Sequence, residues 1–363
     1  MKKKNKKKQS RPQLPSVRLS QCMIVKNEEK NIEKALSWAK GIAFEQIVVD
    51  TGSTDRTVEI AERLGAKVFH FEWINDFSAA KNFAIEQASG NWIAFLDADE
   101  YFSPEDAAKL LPFFKHIQSD PKLRGKWLAI QCPLLHVDET GKTTYAIIHE
   151  RIFRNLPSIR YTGKIHEKLN IPADNSVYGE DISIIHTGYS KTAFIETNKA
   201  ERNIDILKAV LSEDPENVSL KGYLAEALAV KAQMDGATES VLSEIDELYM
   251  EVINTDSDNI SQLRKGAYLY FLKQYVNGNK EYAKCEQMCN KALDEFPDDS
   301  DILYYLGANF NNKGDYRAAL ESLRRCESRL SDNEAPESSN MVTADTTLLQ
   351  KQIAIAKKGT TPS

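Results

Sequence analysis

No stretch of this sequence holds the ~20 consecutive apolar residues that a membrane-spanning helix requires. Cysteine is scarce and odd in number: Cys22, Cys132, Cys285, Cys289 and Cys326, none of them in a CxxC pair. A disulfide framework and a zinc ribbon are thereby excluded, and reduced thiols in a cytoplasmic protein are expected. Positive charge is not in excess. With 47 Lys and Arg against 53 Asp and Glu, the formal net charge of -6 gives no general reason to expect a nucleic-acid partner. Glycine is missing from Lys26-Asn27-Glu28-Glu29, where a nucleotidyltransferase would want a Gly-rich basic loop after its first strand. The run Lys2-Lys3-Lys4-Asn5-Lys6-Lys7-Lys8 resembles the opening of a secretory signal, but polar, proline-containing Gln9 to Ser16 stands where an apolar segment should follow. Two readings remain for residues 1–18: a disordered, solubilising basic tail, or a segment weakly attracted to an anionic membrane surface or an acidic partner.

What is present is material for real cores. Hydrophobic residues at 42% and charged residues at 28% are the proportions of an ordinary globular protein, and 363 residues allow two or three domains. The chain is organised around Asn91-Trp92-Ile93-Ala94-Phe95-Leu96-Asp97-Ala98-Asp99-Glu100. Its apolar run, Trp92 to Leu96, predicts a buried strand that stops at three carboxylates. In open α/β sheets ligands collect at the carboxyl ends of strands, where closely spaced carboxylates are hard ligands for Mg²⁺ or Mn²⁺. The competing reading of so short an acidic cluster is a solvated turn.

Upstream, strands are predicted at Leu19 to Val25, Gln46 to Asp50 and Ala66 to Phe71. Helices of about three turns are predicted through Ile32 to Ala39, over Thr57 to Leu64 and over Ala79 to Gln87. That succession argues for a Rossmann-like, mostly parallel sheet with helices on both faces. Asp50 and Ser53 could be no more than a turn and a helix cap. Lys81, in a first helical turn where the macrodipole disfavours a cation, suggests an anionic partner nearby. Trp73 and Phe77 are expected in the core. Ser103 and Pro104 open a helix from Glu105 to Phe114, and Trp127 to Val137 with Thr143 to His149 reads as a hairpin.

Four blocks taken in order, Cys22-Met23-Ile24-Val25-Lys26-Asn27-Glu28, Val48-Val49-Asp50-Thr51-Gly52-Ser53-Thr54-Asp55, Asn75-Asp76-Phe77-Ser78-Ala79-Ala80-Lys81-Asn82 and Phe95-Leu96-Asp97-Ala98-Asp99-Glu100, resemble a family 2 glycosyltransferase. More narrowly, they resemble the bacterial branch with tetratricopeptide-like helices after the catalytic domain. Blocks at Glu150-Arg151-Ile152-Phe153-Arg154-Asn155, at Tyr161 to Glu167 and at Ile184 to Tyr189 extend the likeness. The resemblance implies an A-type glycosyltransferase fold and a nucleotide-sugar donor, usually UDP-linked. It implies that Asn27, Glu28, Asp50, Ser53 and Asp55 border the nucleoside and that Lys81 lies near base and diphosphate. Asp97 would contact ribose or the metal, Asp99 and His186 would ligate Mn²⁺ or Mg²⁺, and Glu167 would be the catalytic base. Arg151 or Lys164 would help to stabilise the leaving group. Asp50-Thr51 replaces the commoner pair of acids. His149 and His166 are alternatives for the base; His70 and His116 are given no role.

Beyond Tyr189 strand signals stop, and a repeat of period 34 appears. Shifted by it, Leu269, Leu272, Val276, Tyr282, Cys285, Cys289 and Ala292 fall on Leu303, Leu306, Phe310, Tyr316, Ala319, Leu323 and Cys326. The expected organisation is a basic tail at 1–18, a nucleotide-sugar-binding catalytic domain at 19–190, an all-α tetratricopeptide-like domain at 191–330, and a polar loop with a possible capping helix at 331–363. A helical array exposes a groove suited to a peptide or protein acceptor, or a surface for a homodimer. The expected function is metal-dependent, inverting transfer of a sugar from a nucleotide-sugar, a hexose or N-acetylhexosamine, to a peptide, protein or glycan. The alternative is a transferase-like scaffold without activity that works through its helical repeats.

Overall fold

Strands β1 (Leu19–Val25) and β2 (Glu45–Asp50) bury nearly every side chain, as continuous apolar runs do in a sheet covered on both faces. Alternate residues feed two cores. Cys22, Ile47, Val49, Ile93 and Phe95 pack on one face, with Ala84 and Ile85; Met23, Val25 and Val48 pack on the other, with Ile32, Leu36 and Ile60. The computed structural model describes residues 16–120, 123, 125–179, 181–187, 199–279, 281–331 and 346–360. The lysine run, Gly188-Tyr189 and the polar 332–345 stretch lie outside these. The chain divides into two units, Met1–Thr140 with Ile148–Tyr189, and Gly141–Ile147 with Ser190–Ser363.

In the first unit, β1 pairs in parallel with β2, Val25 opposite Asp50, and with β4 (Trp92–Phe95), Cys22 opposite Phe95. β2 pairs in parallel with β3 (Lys67–His70). The carboxyl ends of these strands therefore share one edge, which the sequence pattern implied. Beyond β4 the sheet becomes mixed. Its order is β3-β2-β1-β4-β7-β6-β11-β5, with β5 at Glu100–Phe102, β6 at Ala129–Val137, β7 at Thr143–Arg154 and β11 at Ile184–His186. Strand β10 (Ser176–Tyr178) joins β6, while β8 (Tyr161–Thr162) and β9 (Lys168–Leu169) form a separate antiparallel pair.

Helices α1 (Ile32–Ser37) and α2 (Thr57–Arg63) are shorter than the three turns expected. Both begin at the expected residues, Ile32 and Thr57, and stop short of the expected ends at Ala39 and Leu64. Helix α3 (Phe77–Gln87) starts on Asp76, whose carboxylate accepts from Ala79 N–H at 2.8 Å. Helix α4 (Pro104–Ser119) starts on Ser103 and runs through Pro112, past the expected end at Phe114. Trp73 and Phe77 are not core residues. They pack edge to face at 4.8 Å while remaining half-buried.

In the second unit the described helices are α5 (Lys199–Glu213), α6 (Val218–Asp235), α7 (Glu239–Asn254), α8 (Ser261–Gln274), α9 (Tyr282–Glu295), α10 (Ser300–Lys313), α11 (Tyr316–Ser331) and α12 (Thr346–Thr360). Each packs on the next, and α6, α8, α10 and α12 also touch in succession, which is the stacking of helical hairpins. The 34-residue shift superposes buried positions: Cys285, Cys289 and Ala292 of α9 and Ala319, Leu323 and Cys326 of α11 are all fully buried. All five cysteines are free and buried. No helix among the described residues is long and apolar enough to cross a membrane.

At the edge of the sheet opposite the acids, buried Glu45 is a structural anchor. Its Oε1 accepts from Ser20 Oγ (2.7 Å), Ser89 N–H (2.6 Å) and Ser89 Oγ (2.9 Å), and its Oε2 pairs with Lys67 Nζ at 2.7 Å. Burial alone would raise this carboxyl, but the Lys67 and serine hydrogen bonds bring it down to about 2. Glu45→Gln is expected to lower unfolding free energy by ~1–3 kcal/mol at pH 7, measured by urea titration. Because the folded pKa is the lower one, this difference is full above the ordinary carboxylate range and shrinks as pH falls from about 4.5 toward about 2. In the helical unit, a β-carbon at Gly307 would lie 2.5 Å from Leu323 Cγ. Gly307→Ala is therefore expected to destabilise that unit by ~1–3 kcal/mol through overpacking, read in the same titration.

Candidate active site

The sheet register assembles the charged side chains. Ala94 of β4 faces Ile152 of β7, so one further step along the ladder sets Arg151 beside the end of the acidic strand. On the far side, His186 of β11 is opposite both Glu100 of β5 and His136 of β6, placing the three in one row across the sheet. Residues distant in sequence thus meet at one edge.

Lys81 is 3% exposed. Its Nζ lies 2.6 Å from Glu167 Oε1 and 3.5 Å from Asp97 Oδ1, with the Phe95 and Tyr161 rings around it. Burial would lower its pKa; the charges of Asp97 and Glu167 reverse that and hold the ammonium. Arg151 Nη2 reaches Asp97 Oδ2 at 2.9 Å and also pairs with Glu100 Oε1. Burial would raise Asp97 as well, yet Lys81 and then Arg151 keep its carboxyl far below the usual range. Glu100 is raised by burial, against the pull of Arg151. The result is a continuous chain of ion pairs, Glu167–Lys81–Asp97–Arg151–Glu100.

Asp99 points elsewhere. Its Oδ2 lies 3.4 Å from His186 Nε2, while His186 Nδ1 is 2.8 Å from His136 Nδ1. Burial and the neighbouring His186 lower His136 to about 4, so His136 is neutral near pH 7 and can accept the proton of His186. Burial would lower His186 too, but its hydrogen bond to Asp99 raises it. The Asp99–His186 gap therefore attracts a cation. A proton satisfies it, with His136 fixing the ring orientation. Among the described residues no three His, Cys, Asp or Glu side chains form a closed metal cluster.

The loop that carries Glu167 is stapled to α3. Asn82 exchanges two 2.9 Å hydrogen bonds with the Tyr161 backbone, Ser78 Oγ donates to Gly163 O at 2.6 Å, and Phe77 N–H donates to Lys164 O at 2.8 Å. Gly163 (φ 95°) and His166 (φ 50°) take left-handed backbone conformations, which turns Glu167 toward Lys81. His149 and His166 are exposed.

Asn27, Glu28, Asp50, Ser53 and Asp55 lie together in the loops after β1 and β2. Asn27 N–H donates to Ser53 Oγ (2.9 Å), Glu28 N–H to Thr57 Oγ1 (2.7 Å) and Glu29 N–H to Asp55 Oδ2 (3.1 Å). The Asp50 carboxylate accepts from Gly52 N–H (3.2 Å) and Ser53 N–H (3.0 Å), as in an Asx turn, with His70 Nδ1 at 3.4 Å. Each of these groups shapes the turns. His136, Asn82, Tyr161 and the ion-pair role of Glu100 were not singled out from sequence. Only the polar interruption of an apolar strand at His136 is visible there; the others depend on long-range register.

Asn82→Leu is expected to loosen the stapled loop while the sheet holds. Hydrogen exchange should rise by ~10-fold or more over residues 161–169, the signature of local opening, with the β1, β2 and β4 amides unchanged.

Comparison with known proteins adds an independent finding. Residues 20–120 match the family described as Glycosyl transferase family 2. A TPR repeat-containing protein of Synechococcus elongatus is 33% identical over 60% of this chain and 54% of its own length. The SPbeta prophage-derived glycosyltransferase SunS of Bacillus subtilis is 30% identical over 54% of this chain and 45% of its own. The chain thus spans about half the length of these curated relatives. Among solved structures, S. aureus TarS 1-349 in complex with UDP-GlcNAc aligns over 85% of this chain and 92% of that one, at 18% identity and a TM-score of 0.36. Residues 20–120 are thus similar to the glycosyltransferases of family 2, the family that the four sequence blocks resemble.

Proposed function

We propose that this protein is a metal-dependent, inverting glycosyltransferase that moves a sugar from a UDP-linked donor to a hydroxyl or thiol of a peptide, protein or glycan. The observation that carries the reading is the meeting, at the carboxyl edge of the sheet, of an open Asp99–His186 pair with the Asp97–Lys81–Glu167 chain.

The loops after β1 and β2, with Asn27, Glu28, Asp50, Ser53 and Asp55, border the nucleoside. Asp97 faces the ribose end of the donor, held by Lys81 and Arg151. Asp99 and His186 would hold Mn²⁺ or Mg²⁺, which when bound supplies positive charge to the departing diphosphate. Glu167 takes the acceptor proton as the acceptor oxygen or sulfur bonds to the anomeric carbon and the bond to the diphosphate breaks. One displacement of this kind inverts the anomeric centre. Lys81 keeps its charge throughout, and once Glu167 is protonated that charge is left to Asp97 and the leaving group. The stacked helical hairpins of the second unit are suited to holding an extended peptide or protein acceptor. The buried free thiols fit a reducing, cytoplasmic setting.

The test is release of free UDP from a panel of UDP-sugars with and without Mn²⁺, since donor hydrolysis needs no acceptor. Turnover of one donor that requires the metal is expected. Asp99→Ala and Glu167→Gln should each cut it by ~10²-fold or more, with Glu167→Gln retaining UDP affinity by calorimetry. Wild-type protein that neither turns over nor binds any UDP-sugar would refute the reading.

A further inference from the structure

Glu100 is the most deeply buried carboxylate of the site, at 1% exposure, and the proposed reaction makes no use of it. Both of its oxygens are engaged within the protein. Oε2 accepts from Asp97 N–H at 3.0 Å and Oε1 from Arg151 Nη2. The main chain closes the same turn in the other direction, Glu100 N–H donating to Asp97 O at 3.0 Å. Thr187 N–H pins the intervening Asp99 O at 3.0 Å. Arg151 in turn uses Nη2 for Asp97 as well, at 2.9 Å, while its Nε is buried and has no hydrogen-bond partner among the described residues.

We propose that Glu100 is a positioning residue that stops Arg151 from closing on Asp97, and so keeps the Asp97 carboxylate available to the nucleotide-sugar donor; this rests on the donor-binding reading above. One guanidinium nitrogen shared between two carboxylates holds each by a single hydrogen bond. Without the Glu100 charge, the guanidinium turns its unused Nε to the second Asp97 oxygen and makes the two-point fork that arginine and carboxylate form when nothing competes. That fork displaces Lys81, now 3.5 Å from Asp97 Oδ1, and commits both oxygens that would face the donor. Glu100 acts on the Asp97 carboxylate through Arg151, apart from the Asp97 N–H bond that holds the turn.

The experiment measures donor KM and kcat separately for the full chain and for Glu100→Gln, Arg151→Gln and the double variant, using the UDP-sugar that wild type turns over. UDP affinity is measured in parallel by calorimetry. Glutamine keeps the shape of Glu100 and, through its amide oxygen, the hydrogen bond from Asp97 N–H, while the charge and the acceptor facing Arg151 are lost. Glu100→Gln is expected to raise donor KM and UDP Kd by ~10-fold with kcat within about threefold, a split that a general structural defect would not produce. The double variant should match Arg151→Gln, because a residue that acts only through another adds nothing once the other is gone. A wild-type KM in Glu100→Gln, a loss confined to kcat, or losses that multiply in the double variant would each overturn the proposal. If Glu100→Gln fails to fold, the double variant decides alone, since removing both charges leaves no single buried ion. Equality with Arg151→Gln then supports the proposal and a further rise in KM overturns it. A wild-type protein that binds no UDP-sugar overturns the functional reading together with this inference, and is recognised before any variant is made.

Discussion

Two buried cations, Lys81 and Arg151, hold three carboxylates at the carboxyl edge of the sheet, and the rest of the site is arranged around that bargain. Away from water each of these charges is costly alone and tolerable only in company. Lys81, in the second turn of α3 because the helix starts at Phe77 rather than the expected Ala79, cannot be buried without Glu167 and Asp97, nor Arg151 on β7 without Asp97 and Glu100. Asp97 is the shared member. It explains why the loop bearing Glu167 is stapled so closely to α3: moving the loop would strand the ammonium.

The constraint reaches the fold through register. β7 runs antiparallel beside β4, and β11 lies between β6 and β5, so an error of one residue in either pairing would turn Arg151 or His186 to the opposite face. The charged network therefore depends on ladders whose strands are some fifty or more residues apart in sequence. Those ladders are fixed from below by apolar packing on both faces and by Glu45 at the opposite edge, where serine and backbone donors lock the starts of β1, β2 and β4 together. Rigidity at one end of the sheet permits an unusual concentration of charge at the other.

What the sequence made legible follows from the range of each interaction. The buried strands β1, β2 and β4, the cap at Ser103, and the 34-residue step between α9 and α11 are local patterns, and they stand where the patterns place them. The starts of α1 and α2 at Ile32 and Thr57 were legible too, and only their early ends at Ser37 and Arg63 were not. Strand β5 was hidden because Glu100 reads as one more acid of a polar turn; only pairing with β11 makes it a strand and buries its carboxylate. Trp73 and Phe77 read as core because aromatic rings usually are, whereas here the two satisfy each other at the surface. Lys81 shows the limit from the other side. Its position against the helix dipole signalled an anion, but not that Glu167 and Asp97 would be the first anions it meets.

That arrangement bears on how such a site can cycle. Lys81 and Arg151 each pair with Asp97, and Lys81 also with Glu167. In the proposed reaction a diphosphate would bring further negative charge to these cations, and it is accommodated only if they are shared rather than surrendered. Sharing is what the geometry favours: Lys81 stands at 3.5 Å from Asp97, longer than a full hydrogen bond, and Arg151 reaches two acids with one nitrogen. Asp99 pairs with His186, which in turn meets His136. Under the proposed function the Asp99–His186 pair would meet added positive charge and Lys81 added negative charge, the two needs of a reaction whose leaving group gains charge as its bond breaks.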